Sequence, residues 1–307
     1  MNYDEFASSG LSRPRNRQLR TEAQIMQDWG GAEEIAVSIV LVSFNQESYI
    51  EDALAGVLSQ KTSFPFEIIL HDDASTDGTR EILEKYALEY PEIIIPVLRT
   101  VNIFSKGGAP FWEGMKNARG KYVAICEGDD FWIDDGKLAK QYRFMEDNSG
   151  AAFCCHNASV HYVGTGEVKD FNTKLSSGYY STRDLVLRKW FIPTASLFFR
   201  REIANRRIPA WYGQVRSQDL ALEIVLSLEG DLWYQNEKSS VYRKNAIGSL
   251  SAKKEVPWAH LHLRIDLFKK LRGEFPYMKR YLIWIDILIT NLKIAYSRIL
   301  TNMNNNG

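Results

Sequence analysis

The sequence lacks paired cysteines, an excess of charge of one sign, and a long apolar run. Three cysteines in 307 residues, two of them adjacent at Cys154-Cys155, make neither a disulfide framework nor a zinc spacing. They read as core residues of a protein in a reducing cytoplasm. Lys plus Arg and Asp plus Glu both number 38, for a net charge of +0, so no overall field draws the chain to nucleic acid. No stretch reaches the roughly 20 apolar residues that a bilayer span needs, and no apolar segment of signal-peptide type opens the chain. The expectation is a cytoplasmic protein that is not exported. Histidine is also scarce, with five in all. His156 and His161 have no third ligand in spacing and read as strand residues. His260 and His262, two apart on an expected helix, face different sides and make poor co-ligands.

What is present is a globular composition, 45% hydrophobic, enough for one large core or two smaller ones. Residues 1–35 are polar, with Arg13, Arg15, Arg17 and Arg20 around Pro14, and read as a solvated extension before the fold. Val37–Ser43 is a continuous apolar run, as in a strand covered on both faces, and ends in the polar Ser43-Phe44-Asn45. A helix follows from Glu47 to Gln60. The pattern repeats with a strand at Phe66–Leu70, a loop from His71 to Thr79, and a helix from Thr79 to Tyr90 ended by Pro91. A third strand spans Ile93–Leu98, where Pro96 argues for an edge. Tyr122–Cys126 is a fourth. Alternating strands and helices predict a parallel α/β sheet, whose ligands bind beyond the carboxyl ends of the strands. Three polar segments lie at such ends: Ser43 to Asn45, His71 to Asp77 and Glu127 to Asp130. Asp77 is assigned mainly to capping its helix.

Glu127-Gly128-Asp129-Asp130 puts three carboxylates within four residues. Like charges so close repel unless a cation or proton lies between them. Side chains two apart on extended chain point the same way, so Glu127 and Asp129 can offer oxygens to one ion. Few, hard oxygen ligands suit Mn2+ or Mg2+, which complete their shells with water and phosphate oxygens. The bland alternative is a solvated acidic turn capping the helix near Lys137.

The segments Ile39–Asn45, His71–Thr79 and Gly120–Trp132 together resemble, in order and spacing, three successive motifs of the family 2 inverting glycosyltransferases, over residues 36–250. The resemblance implies a Rossmann-like GT-A fold, with a mixed, mainly parallel central sheet flanked by helices and a C-terminal helical extension at 251–307. Within it, 36–135 would form the nucleotide-sugar-binding half and 136–250 the acceptor half. It implies a UDP-sugar or related donor bound by Ser43, Phe44, Asn45, Asp73, Glu127, Asp129 and Arg243, with Phe44 near the base and Asp73 accepting a hydrogen bond from it. The cation would lie on Asp129 and Asp130, ranked ahead of Glu127, since Glu stands where the family has the first Asp of its Asp-x-Asp. Asp219, opening a helix, matches the family's general base; capping alone is its bland reading, and Glu223 is the fallback. Ile192 to Arg201 resembles the acceptor-side segment, with Trp190 and Trp211 as sugar-stacking candidates. Arg243 to Ser251 reads as a polar loop closing over the diphosphate, although Asn245 replaces the family's frequent His.

The expected activity is metal-dependent transfer of a sugar from a nucleotide-sugar donor to a hydroxyl of a glycan or lipid-linked acceptor, as in bacterial surface polysaccharide synthesis. The rivals are a sugar-phosphate nucleotidyltransferase, which should carry a Gly-rich basic loop after the first strand, and a non-catalytic nucleotide-sugar or glycan binder. From Tyr281 to Leu300, Asp286, Thr290, Lys293, Ser297 and Thr301 fall on one narrow stripe beside a wide apolar arc. That arc suits packing within the fold, a homodimer, or peripheral contact through 276–300 at the inner face of the membrane.

Overall fold

The computed structural model describes residues 13–188, 191–247, 249, 259–274 and 284–291. Helix α1 (Glu22–Gln27) opens on a capping box between Thr21 and Gln24. Strand β1 (Val37–Ser43) leads to α2 (Ile50–Leu58), β2 (Phe66–Asp72), α3 (Thr79–Glu89) and β3 (Ile94–Leu98). Next come α4 (Pro110–Met115), β4 (Tyr122–Glu127), the two-residue β5 (Phe131–Trp132) and α5 (Lys137–Asp147). The second half holds β6 (Ala151–Tyr162), β7 (Val168–Asp170), β8 (Gly178–Tyr180), α6 (Thr182–Leu187), β9 (Phe198–Arg200), α7 (Arg201–Arg207), α8 (Gln218–Ser227), β10 (Asp231–Lys244) and α9 (Ala259–Leu271).

The strands form one sheet in the order β3-β2-β1-β4-β9-β6-β10-β5, with β7 paired to β6 and β8 to β10. From β3 to β4 the pairings are parallel. β9 then runs antiparallel to both β4 and β6, while β10 returns parallel to β6. The sheet is therefore mixed and mainly parallel, and Pro96 does lie on its edge strand. Because side chains alternate along a strand, Val40, Ile69, Val123 and Ile125 face one core with Phe153, Phe199 and Leu222. Ile39, Leu41, Ile68, Leu70 and Ala124 face the other, under α2 and α3. Both faces are covered, which is why β1 and β2 are apolar without alternation.

Four expectations are corrected. Residues 13–29 are not a free extension: Ile25 and Trp29 are buried, and Glu22 accepts hydrogen bonds from the amides of Glu92 and Ile93. β6 (Ala151–Tyr162) matches the one or two strands that the sequence suggests from Ala151 to Val163. β10, however, runs unbroken from Asp231 to Lys244 where the sequence suggests separate strands at Asp231 to Gln235 and Val241 to Arg243, because it pairs with β6 along almost its whole length through several register shifts. Of the loop expected from Arg243 to Ser251, Arg243 and Lys244 thus belong to strand β10, while residues 245–247 and 249 are turn or irregular and the rest lie outside the described residues. In the stretch 284–291 the polarity is reversed: Asp286 and Thr290 are buried, Trp284 and Leu288 exposed, because Asp286 turns inward to bind Arg264 at 2.7 Å. The remainder of 276–300 lies outside the described residues, and among the described residues no helix is long and apolar enough to cross a membrane.

Candidate active site

Three strand ends build the site. Ser43 is in register with Asp72, and Val42 with Glu127. The ladders run one residue further, with Asp73 N donating to Ser43 O (3.0 Å) and Gly128 N to Val42 O (2.9 Å). Immediately beyond the strands the backbone turns sharply. The non-glycine residues with positive φ among the described residues are Asn45 (53°), Ala74 (65°) and Asn245 (64°), which follow β1, β2 and β10. Such strain persists only where surrounding bonds over-determine it. Here the first two loops are laced together: Asn45 Oδ1 accepts from Thr76 N (2.8 Å), Ser75 Oγ from Asn45 N (2.9 Å) and Thr79 Oγ1 from Gln46 N (2.7 Å). Asp77 accepts from Thr79 N (3.0 Å) and from Glu47 N (3.2 Å), consistent with its capping assignment.

Ser43, Phe44, Asp73, Glu127, Asp129 and Asp219 line one cavity of about 870 Å³. Phe44, 38% exposed, projects into it from the strained turn. Asp73 stands with its carboxylate against the amides of Ile103 (2.8 Å) and Phe104 (3.0 Å), so it shapes the opposite wall and keeps lone pairs for a further donor. Asn45, Asp130 and Arg243, also expected to contact donor or metal, are not among the residues lining the cavity. Asn45 is spent on joining loops. Asp130 is buried behind the turn and accepts from Arg243 N at 2.8 Å. Arg243, 1% exposed, bonds Asp52 and the carbonyl of Asp129 (2.8 Å); it braces the acidic turn from behind instead of closing over a ligand.

Gly128 makes the turn fit. A Cβ there would sit 2.3 Å from Gln46 Oε1, 2.9 Å from Ile50 Cδ1 and 3.1 Å from Ser43 Cβ. With that gap empty, Glu127 and Asp129 reach the same cavity. Burial, then the charges of Asp129 and Asp219, push Glu127 up to about 8, while the Thr194 hydroxyl works the other way. Burial also raises Asp129, opposed by Arg243 and Gln46. Asp219 sits in the first turn of α8; burial raises it, and backbone amides at the helix start favour its charged form. Glu223, one turn on, is buried with Oε1 unpartnered, and burial plus Asp219 hold it well above the carboxylate range. Three crowded carboxylates facing one cavity have the chemistry to receive a divalent cation, with Glu127 and Asp129 as the pair that would hold it. Among the described residues no ready-made cluster of three metal-ligating side chains is assembled.

Thr194, within the segment Ile192 to Arg201 expected on the acceptor side, lines the cavity, and so do Gln46, Tyr212 and Gln218, which sequence reasoning missed. Gln218 donates to Gly108 O at 3.0 Å, and Gly213 packs so close to Gly107 O that a Cβ would lie 2.8 Å away. Only the Gly107-Gly108 pair hinted at that close approach. Trp211 turns away to bond Glu274 at 3.2 Å, and Trp190 lies outside the described residues.

A family model described as glycosyl transferase family 2 matches residues 38–207. The chain belongs to glycosyl transferase family 2. Among family relatives, the putative teichuronic acid biosynthesis glycosyltransferase TuaG of Bacillus subtilis is 41% identical over 221 residues, 69% of this chain and 81% of that protein. The chain spans 60% of the length of uncharacterized mycobacterial relatives that it also matches. Among solved structures, residues 1–349 of S. aureus TarS in complex with UDP-GlcNAc superpose with a TM-score of 0.63 at 17% identity, covering 84% of this chain and 73% of that TarS fragment. The mannosyltransferase PcManGT from Pyrobaculum calidifontis, in complex with GDP-Man and Mn2+, gives 0.57 at 16%, covering 93% and 82%. At these identities the two likenesses show the shared fold alone.

Proposed function

We propose that this family 2 chain is an inverting glycosyltransferase that moves a sugar from a nucleoside-diphosphate donor to a hydroxyl of a glycan or lipid-linked acceptor in surface polysaccharide synthesis. The observation that carries the reading is the convergence of Glu127, Asp129 and Asp219 on one cavity at the carboxyl ends of β1, β2 and β4. Phe44 offers a face for the base, and Asp73 a carboxylate for its N–H groups. Glu127 and Asp129 would hold Mn2+ or Mg2+, which when bound stabilises negative charge on the leaving diphosphate. Asp219 enters from α8 on the other half of the fold. It accepts the proton of the acceptor hydroxyl as that oxygen attacks the anomeric carbon and the nucleoside diphosphate leaves from the opposite face. Burial of Asp219 strengthens it as a base at neutral pH, since it holds a transferred proton more tightly than an exposed Asp.

The UDP-GlcNAc complex of TarS and the GDP-Man and Mn2+ complex of PcManGT support a nucleotide-sugar donor and a divalent cation. The name of TuaG supports a polysaccharide acceptor. The exposed Trp284, Ile285, Leu288 and Ile289 suit contact with a membrane that carries a lipid-linked one.

The test is release of UDP or GDP from a panel of nucleotide sugars by wild type and by Asp219→Asn. Loss of the base is expected to lower kcat by about 10²–10⁴ while nucleotide affinity stays within about twofold, because Asp219 acts on the acceptor. Equal rates for the two proteins would remove Asp219 from the chemistry. Tight nucleotide binding with no turnover in wild type on any acceptor would identify a binder instead.

A further inference from the structure

The acidic turn is internally strained by charge, and few bonds close it. Two are local: Gly128 N to Val42 O (2.9 Å) and Asp130 N to Glu127 O (3.0 Å). Two come from one distant residue. Arg243 donates its backbone N–H to Asp130 Oδ1 and its Nη1 to Asp129 O, both at 2.8 Å. Its guanidinium is buried, stacked 4.3 Å from the Phe131 ring centroid, and its other amino group goes to Asp52. A buried fork of this kind orients what it touches only as well as it is itself held.

Asp52 is fully buried in α2 and does not serve Arg243 alone. Arg13 donates to its Oδ2 through Nε (2.9 Å) and Nη2 (2.6 Å). Arg15 donates to Oδ1 (2.8 Å) and Oδ2 (3.0 Å), and to Ser48 O (2.6 Å). Arg15 also lies 3.6 Å from Glu51. Three guanidinium groups, those of Arg13, Arg15 and Arg243, thus meet the one Asp52 carboxylate, with Glu51 beside Arg15. The N-terminal segment and the acidic turn are the two ends of one chain of contacts, ion pairs as far as Arg243 and hydrogen bonds from Arg243 to the turn.

We propose that Arg13 and Arg15 are positioning residues of the active site: through Asp52 they fix Arg243, and through Arg243 they fix the turn that aims Glu127 and Asp129 into the cavity. The functional part rests on the reading of that turn as the cation and donor site. Neither arginine lines the cavity, and the bonds that lead from both of them to the acidic turn run through Asp52 and Arg243.

The test uses the full chain with Arg13→Gln/Arg15→Gln. Arg20→Gln is the control, since Arg20 fastens the same segment to Asp28 (2.5 Å) and Gln60 O (2.7 Å) without touching Asp52. Two quantities are read: Mn2+-dependent UDP affinity by calorimetry, and hydrogen exchange of the Gly128 to Asp130 amides by mass spectrometry. The double variant is expected to bind about tenfold more weakly, as when groups that orient ligating side chains are removed, and to exchange the turn amides about tenfold faster. The control is expected to lose thermal stability with neither change. Arg13→Gln alone gives a smaller shift in the same direction if the double variant does not fold. Unchanged exchange in the turn, or equal changes in the control, overturns the proposal. If wild type binds no UDP while turn exchange still responds to Arg13 and Arg15, the donor reading fails and the structural coupling stands.

Discussion

Lys137 opens α5 as a fully buried lysine. Its Nζ donates to Gln141 Oε1 at 2.8 Å and lies 3.7 Å from the centroid of the Trp132 ring. The same packing seats the floor of the site: Trp132 Nε1 bonds Ala195 O (2.8 Å) and Gln141 Nε2 bonds Ser196 O (2.9 Å), next to Thr194. Burial pushes Lys137 from its ordinary 10.5 down to about 7, with Cys126, Cys154 and Asp134 acting in the opposite direction. Between those values the unfolded chain binds a proton that the folded chain does not, so stability rises with pH through this window and levels off above it. Lys137→Met removes the titration. Its other effects, including a Gln141 oxygen left without its donor, do not depend on pH there and cancel in a comparison of slopes. From about pH 7.5 to about pH 9.5 wild type should gain about 2.5 kcal/mol on the variant. The contact of the charged amine with the Trp132 face, worth up to about 2 kcal/mol when desolvated, trims that gain toward about 1 kcal/mol. Urea unfolding of both proteins at the two pH values measures the difference. Parallel stabilities would show that Lys137 titrates as an exposed amine and refute the reasoning.

Gly128→Ala should cost about 1–3 kcal/mol by overpacking against Gln46, Ile50 and Ser43 and displace Asp129; a variant with wild-type melting temperature and cation affinity would contradict the close-approach argument. Phe44→Ala should weaken UDP binding by about 1–3 kcal/mol if the ring carries the base, with stability changed by less than about 0.5 kcal/mol for so exposed a side chain. Unchanged UDP affinity would put the base elsewhere.

The strand ends were legible because β1, β2 and β4 are apolar runs buried on both faces, so the abrupt change to Ser43, Asp73 and Glu127 marks where the sheet stops. The helix that Asp219 opens was legible from its apolar spacing, but that place alone reads as capping, and Asp219 stood out as a site candidate only through the resemblance to the family's base. The roles of Arg243 and Asp130 were not. A link among residues 13, 52 and 243 has no period and no motif, and the one local hint is an aspartate, Asp52, amid the buried residues of α2. β10 read as two pieces because its bulges break the alternation that marks a strand. Polarity misled in 284–291, since a polar stripe looks solvated until its partner, here Arg264, is placed beneath it.

The most direct measurement is calorimetric titration of UDP and GDP into the full chain, with Mn2+ and with chelator, repeated on Asp129→Ala. Binding that requires the cation and is lost with Asp129 is the result predicted. No binding of either nucleotide by wild type under any condition would return Glu127 to Asp130 to an acidic turn and contradict the account.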